Sequence, residues 1–285
     1  MGMWVFQLMS WFIAAGYFLF FPGRVAVSIK FYQALFPFKG LFYALLCTWK
    51  QYQGFTQVFL DRFRLLEDDD ITMTHEGWEY LEDTVSRKTG GILLMSHLGN
   101  WEIAAHMLKV KGRDNPDMKL LLYLGRKHKE QIEQTQKESL VRNGVMIIPV
   151  DKNGGSPADI VEGINFVKEG GFVSLSGDRR WRDDQRSISV RFLDHEAFLP
   201  KMPFALALLS GAPLFVFFAY RTGKKTYRFQ ISPPSFIRSI KRGDRDEAIR
   251  MAAQGYATLL ENAVHEHPFE WYHFEPFIGR KLDAS

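Results

Sequence analysis

The residues best suited to chemistry lie in Ser96-His97-Leu98-Gly99-Asn100-Trp101-Glu102, which sets a titratable imidazole five positions ahead of a carboxylate. Histidine accepts a proton near neutrality, and a carboxylate partner fixes its tautomer and stabilises the imidazolium that forms. Ile92 to Ser96, behind Gly90-Gly91, reads as a short buried strand, and Asn100 to Lys111 carries a helical apolar pattern. His97 is therefore expected on the turn between them. On one continuous helix the offset would turn the two side chains about 140° apart, so His97 and Glu102 meet only if His97 lies outside the helix. Gly99 permits such a turn.

Elements that could position this pair follow from about Ile71 onward, where strand and helix patterns alternate. Thr74 is read as the cap of a helix reaching Lys88. Strands are expected at 120–124, 145–150, 172–176, 188–193, 213–220 and 226–231. Helices are expected at about 127–142, from Ser156-Pro157 to Gly170-Gly171, near 204–210 and over 244–264. This order predicts an α/β fold with a mostly parallel central sheet flanked by helices. In such sheets reactive residues gather in loops after the strands. Arg126 follows one strand, and Asp178, Arg179 and Arg180 follow another. A guanidinium is a permanent forked donor, suited to a phosphate or a developing oxyanion.

Composition adds a second location. Of 36 Lys and Arg, residues 1–60 hold only Arg24, Lys30, Lys39 and Lys50, and none of the 32 Asp and Glu, so the whole net charge of +4 resides there. Met3 to Phe21 is apolar except for Gln7, Ser10 and Gly16, and as one helix would reach about 28 Å, close to a bilayer core. Residues 25–55 then interleave aromatic rings with lysines, which suits a headgroup layer. The expectation is an N-terminal membrane-anchoring helix with interfacial helices over 1–60 and a catalytic unit over 61–285. The cations after the span would hold that unit on the cytoplasmic side of a bacterial inner membrane. A lone Cys47 fits that compartment.

The stretch His97-Leu-Gly-Asn-Trp-Glu102 resembles the H-x4-D/E motif of the lysophospholipid acyltransferase superfamily, and most closely its branch of late acyltransferases in bacterial lipid A biosynthesis. Arg126, Asp178 and the run from Arg191 through Pro213 match further segments of that branch. The resemblance implies transfer of a fatty acyl chain from an acyl carrier protein or acyl coenzyme A thioester to a hydroxyl of a lipid or glycolipid acceptor. It implies His97 as base with Glu102 orienting the ring, and Asn100, Arg126, Asp178 and Arg179 on the substrate side. No cofactor, metal or nucleic acid enters. The sequence departs from the lipid A pattern in placing Arg179 after Asp178, where Gln is common, and in its ending Pro268-Phe-Glu-Trp-Tyr-His-Phe274. These departures leave the acceptor open.

Three other features bear on this reading. His106 shares a helix face with Glu102 in the expected helix, but no second ligand pair accompanies them. His265, His267 and His273 are read as part of a packing segment after the last helix. A noncatalytic protein of the same fold, binding lipid or recruiting a partner, is the remaining rival.

Overall fold

A computed structural model describes residues 3–66, 71–100, 103–104, 118–125, 145–150, 157–180, 185–239 and 241–283. Its centre is a seven-stranded sheet built from β1 (Thr72–Glu76), β2 (Gly91–Gly99), β3 (Leu120–Gly125), β4 (Met146–Val150), β5 (Phe172–Ser176), β8 (Leu214–Arg221) and β9 (Thr226–Ile231). The spatial order is β1-β9-β8-β2-β5-β3-β4, and within it only the β8–β9 pair is antiparallel. β2 and β5 are therefore neighbours, with Gly91 to Met95 in register with Phe172 to Ser176. Both are apolar runs buried on their two faces, as expected of central parallel strands.

Helices cover the sheet. α4 (Trp78–Ser86) packs Trp78, Leu81 and Val85 against one face with Phe215, Phe217 and Phe229. On the other face lie α5 (Pro157–Lys168), α6 (Met202–Ser210) and α7 (Arg245–Glu266), whose Ile249, Ala253, Tyr256, Leu260 and Val264 join Leu94, Leu175 and Val216. A small antiparallel sheet, β6 (Ser187–Phe192), β7 (His195–Pro200) and β10 (Ile278–Lys281), adds to that side. The fold is thus the mixed α/β architecture expected from the alternating pattern.

The N-terminus differs from the expected single span. α1 (Met3–Phe20) ends where Pro22 opens α2 (Pro22–Leu35), because proline lacks the N–H that would continue the helix but is preorganised for a first turn. The two axes are bent by 99° between Leu8–Phe20 and Pro22–Leu35. Among the described residues no single helix is long and apolar enough to cross a membrane, although this bent pair passes by length and composition.

α3 (Leu41–Leu66) runs back alongside both. Phe31, Tyr32, Leu35, Ala44 and Cys47 from α2 and α3 enter the same apolar core as β2 and α7. The opposite surface stays apolar and open, with Trp11, Phe12, Leu19 and Phe20 on α1 and Phe38, Leu41, Phe42 and Leu46 at the α2–α3 corner exposed. Leaving a side chain of this size in water forgoes about 1.5–3 kcal/mol of burial.

Candidate functional site

His97 does not sit on a turn beyond its strand but in a bulge near the end of β2. Met95 pairs with Phe217 and Gly99 with Ala219, so four steps along β2 match two along β8. The surplus residues cannot stay in the pleat, and the backbone around His97 is pushed out of the ladder. The Leu98 amide donates to Ser96 Oγ at 3.1 Å, which closes the bulge locally.

Gly99 makes the return to the sheet possible. Its φ is +79°, and a Cβ there would lie 1.9 Å from the Ala219 carbonyl oxygen. Gly99→Ala is therefore expected to cost at least about 2 kcal/mol, from left-handed strain and a backbone clash. In thermal denaturation this should lower Tm by about 4 °C or more.

The bulge is also held from its outer side by the segment after α7. Gly99 N–H donates to the Glu270 carbonyl at 2.9 Å, and Tyr272 N–H donates to the His97 carbonyl at 2.8 Å. Residues 270–272 thus act as a short antiparallel partner to 97–99, centred on the Leu98–Trp271 bridge.

Asp178, two residues past the end of β5, reaches the bulge because β5 lies next to β2. Gly177, between them, donates its N–H to the Met95 carbonyl at 2.7 Å. A Cβ at Gly177 would meet Leu94 and Tyr256 at 2.7 Å, so the close approach requires glycine.

The Asp178 side chain is fully buried and its two oxygens take four donors. Oδ1 accepts from His97 Nδ1 at 2.8 Å and Ser176 Oγ at 3.0 Å. Oδ2 accepts from the His97 backbone N–H at 2.7 Å and Trp271 Nε1 at 2.9 Å. Burial pushes the carboxyl up, but the charge of the adjacent His97 imidazole, its ring and backbone hydrogen bonds and the nearby His273 outweigh it. The group is held well below the usual carboxylate range and is ionised at neutral pH. A carboxylate has no proton to give, so it fixes the hydrogen of His97 on Nδ1 and leaves Nε2 with a lone pair. The His97 side chain is 25% exposed, whereas that of Asp178 is fully buried.

The other expected site residues fall differently. Glu102 and Arg126 lie outside the described residues. Asn100, expected on the substrate side, is buried. Its Oδ1 accepts the Ile103 N–H at 3.3 Å, the capping bond of the following helix, and its Nδ2 donates to Tyr227 OH at 3.4 Å. Tyr227 OH in turn donates to the buried Asp61 of α3, so Asn100 ties the bulge to the N-terminal helices. Asp178, also expected to face substrate, turns its carboxylate inward onto His97. Arg179 pairs with Glu275, which joins the loop after β5 to the C-terminal segment.

The sequence does not mark two residues beside His97 as site residues. Trp271 donates to Asp178, and His273 stacks on Trp271 at 5.2 Å and meets the His97 ring edge-on at 5.8 Å. Burial between these rings and Phe277 pushes the His273 imidazole below its ordinary value, against the opposing charge of Asp178. Only the aromatic density of Pro268–Phe274 hinted that this stretch does more than end the chain.

With this geometry in place, a comparison with family models matches residues 50–277 to the bacterial lipid A biosynthesis acyltransferases. The chain belongs to that family. A search of curated proteins yields no match. Membership in the lipid A biosynthesis acyltransferases makes the protein a transferase of acyl groups, with an acyl donor and a lipid acceptor as its substrate classes. Members of the family are membrane-associated, and the exposed apolar corner of α1 to α3 fits that property. The family match covers β2, β5 and the segment that carries Trp271, and hence every residue around the His97–Asp178 pair.

Proposed function

We propose that the protein transfers a fatty acyl chain from an acyl carrier protein or coenzyme A thioester to a hydroxyl group of a lipid or glycolipid, with His97 as general base. The observation that carries this reading is the buried, four-donor Asp178 carboxylate held against His97 Nδ1, which in the neutral ring leaves the basic lone pair on Nε2.

In this scheme Nε2 removes the proton of the acceptor hydroxyl as its oxygen attacks the thioester carbonyl carbon. The tetrahedral intermediate collapses with cleavage of the C–S bond, and the imidazolium returns its proton to the departing sulfur. Ester and thiol are the products, and no enzyme-bound acyl group forms. Asp178 stays ionised throughout, opposing the charge that appears on the ring. We assign it, rather than Glu102, as the residue that orients His97. Arg126 is kept as the candidate donor to the intermediate's oxyanion or to an acceptor phosphate. Arg179, through its tie to Glu275, is a candidate for the rim of the acceptor site.

We further place the working protein on the inner leaflet. Arg24, Lys30, Lys39 and Lys50 would face anionic headgroups, and the exposed rings of α1 and the α2–α3 corner would enter the acyl layer.

The test is transfer itself. Full-length protein in detergent, given radiolabelled acyl carrier protein or acyl coenzyme A and a panel of lipid and glycolipid acceptors, is expected to yield a labelled ester. That product should vanish with His97→Ala. Tight lipid binding with no ester from any donor and acceptor pair would favour the noncatalytic rival.

A further inference from the structure

We propose that Trp271 is a positioning residue for the base, its indole N–H setting the orientation of the Asp178 carboxylate that in turn aims His97. The proposal rests on the acyl-transfer reading and adds to it a residue 174 positions from the base.

The carboxylate of Asp178 can pivot about its Cβ–Cγ bond; Ser176 Oγ holds Oδ1, and the donors on Oδ2 fix the other end of the pivot. Two donors hold Oδ2, the His97 backbone N–H and Trp271 Nε1. The first belongs to the bulge, whose position depends on the segment it pairs with. The second comes from that segment. Trp271 is thus attached to the site twice, by its backbone neighbours to residues 97–99 and by its side chain to Asp178.

The indole itself has little freedom. It is 1% exposed and packs against Phe31 at 4.9 Å, Phe277 at 5.0 Å and Phe192 at 5.5 Å. Its carbonyl accepts from Gln51 Nε2 of α3, and the Pro268 carbonyl accepts from Tyr32 OH of α2 at 2.9 Å. Phe269 lies under Lys50, and Phe274 packs on Tyr52 at 4.8 Å. The N-terminal helices therefore grip the segment from one side while the segment grips the catalytic pair from the other. A buried indole N–H needs an acceptor, and the acceptor Trp271 uses is the buried carboxylate that touches His97. Trp271 touches neither substrate nor the transferred proton, so its action is through Asp178.

The experiment removes the N–H while keeping the ring. Trp271 is replaced in the full-length protein by benzothienylalanine, which has sulfur in place of the indole nitrogen, and in parallel by Phe. The expected result is a fall in kcat of about tenfold or more, the kinetic equivalent of losing a hydrogen bond to a charged group, with KM for donor and acceptor unchanged. The low-field proton resonance of His97 Nδ1–H should move or broaden in the same samples. A benzothienylalanine protein with kcat within twofold of wild type overturns the proposal. So does a kcat loss that leaves the Nδ1–H resonance where it was, because Trp271 would then be acting elsewhere. If the wild-type protein transfers no acyl group at all, the reading of the reaction falls, while the resonance still decides whether Trp271 sets the pair.

Discussion

His97→Ala is expected to lower kcat for acyl transfer by about 10² to 10⁴-fold, the usual contribution of a positioned general base. The fold should survive. The backbone bonds that shape the bulge, from His97 N–H to Asp178 and from Tyr272 N–H to the His97 carbonyl, do not depend on the ring. Asp178 Oδ1 keeps Ser176 as a donor, so the stability cost should be near that of one lost hydrogen bond to a charged group, about 1.5–3 kcal/mol. Steady-state kinetics beside thermal denaturation of the same preparation separates the two effects. A folded His97→Ala protein with turnover within a few-fold of wild type would remove the base from this position.

Asp178→Asn should be as damaging to turnover and more so to the fold. The amide has the shape of the carboxylate, but its NH2 group can accept nothing, and every polar neighbour of Asp178 at this site is a donor. Turned so that its oxygen faces His97 N–H and the indole, it presents NH2 to His97 Nδ1. That moves the ring hydrogen to Nε2 and leaves no lone pair there. In serine proteases the corresponding change costs about 10⁴-fold in kcat, and a loss of about 10³-fold or more is expected here. Turned the other way, the amide leaves two buried N–H groups unpaired, at about 1–3 kcal/mol each. Kinetics and denaturant melts on Asp178→Asn and Glu102→Gln side by side decide which carboxylate orients the ring. Retained turnover in the first with complete loss in the second would reverse the assignment.

The sequence disclosed the sheet where burial was complete and punctuation strong. The run 172–176, preceded by Gly170-Gly171, is the observed strand; 226–231 is also a strand, though only half-buried, and shows through its alternation instead. It misled where pairing partners decide the outcome. Thr74 suits a cap, so the sequence points to a helix running from it to Lys88. Instead the mostly exposed residues Thr72–Glu76 form an edge strand in parallel register with β9, ended by Gly77 at φ +79°. The β6–β7 hairpin escaped notice because its two-residue turn is Leu193-Asp194, both at positive φ, with no glycine to announce it. Pro22 follows the apolar run 3–21 and opens α2 at the bend, a change of direction that the hydropathy of the run does not register.

The site was legible in its parts rather than in its assembly. His97 and Asp178 could be chosen from residue type and position after strands. Their contact, across 81 residues, follows only from β2 and β5 being neighbours, which chain order does not reveal. Trp271 is farther still and lies in no regular element, so no periodicity pointed to it.

The dependence of the bulge on residues 270–272 has a consequence for the order of synthesis. Ribosomes make the chain from its N-terminus, and about 200 residues separate the end of α3 from Trp271. At roughly 5–20 residues per second, that is an interval on the order of ten to forty seconds. Throughout it, the nascent polypeptide carries its finished apolar first helices while the imidazole still lacks its outer clamp; on the proposed reading, attachment to a bilayer comes before activity.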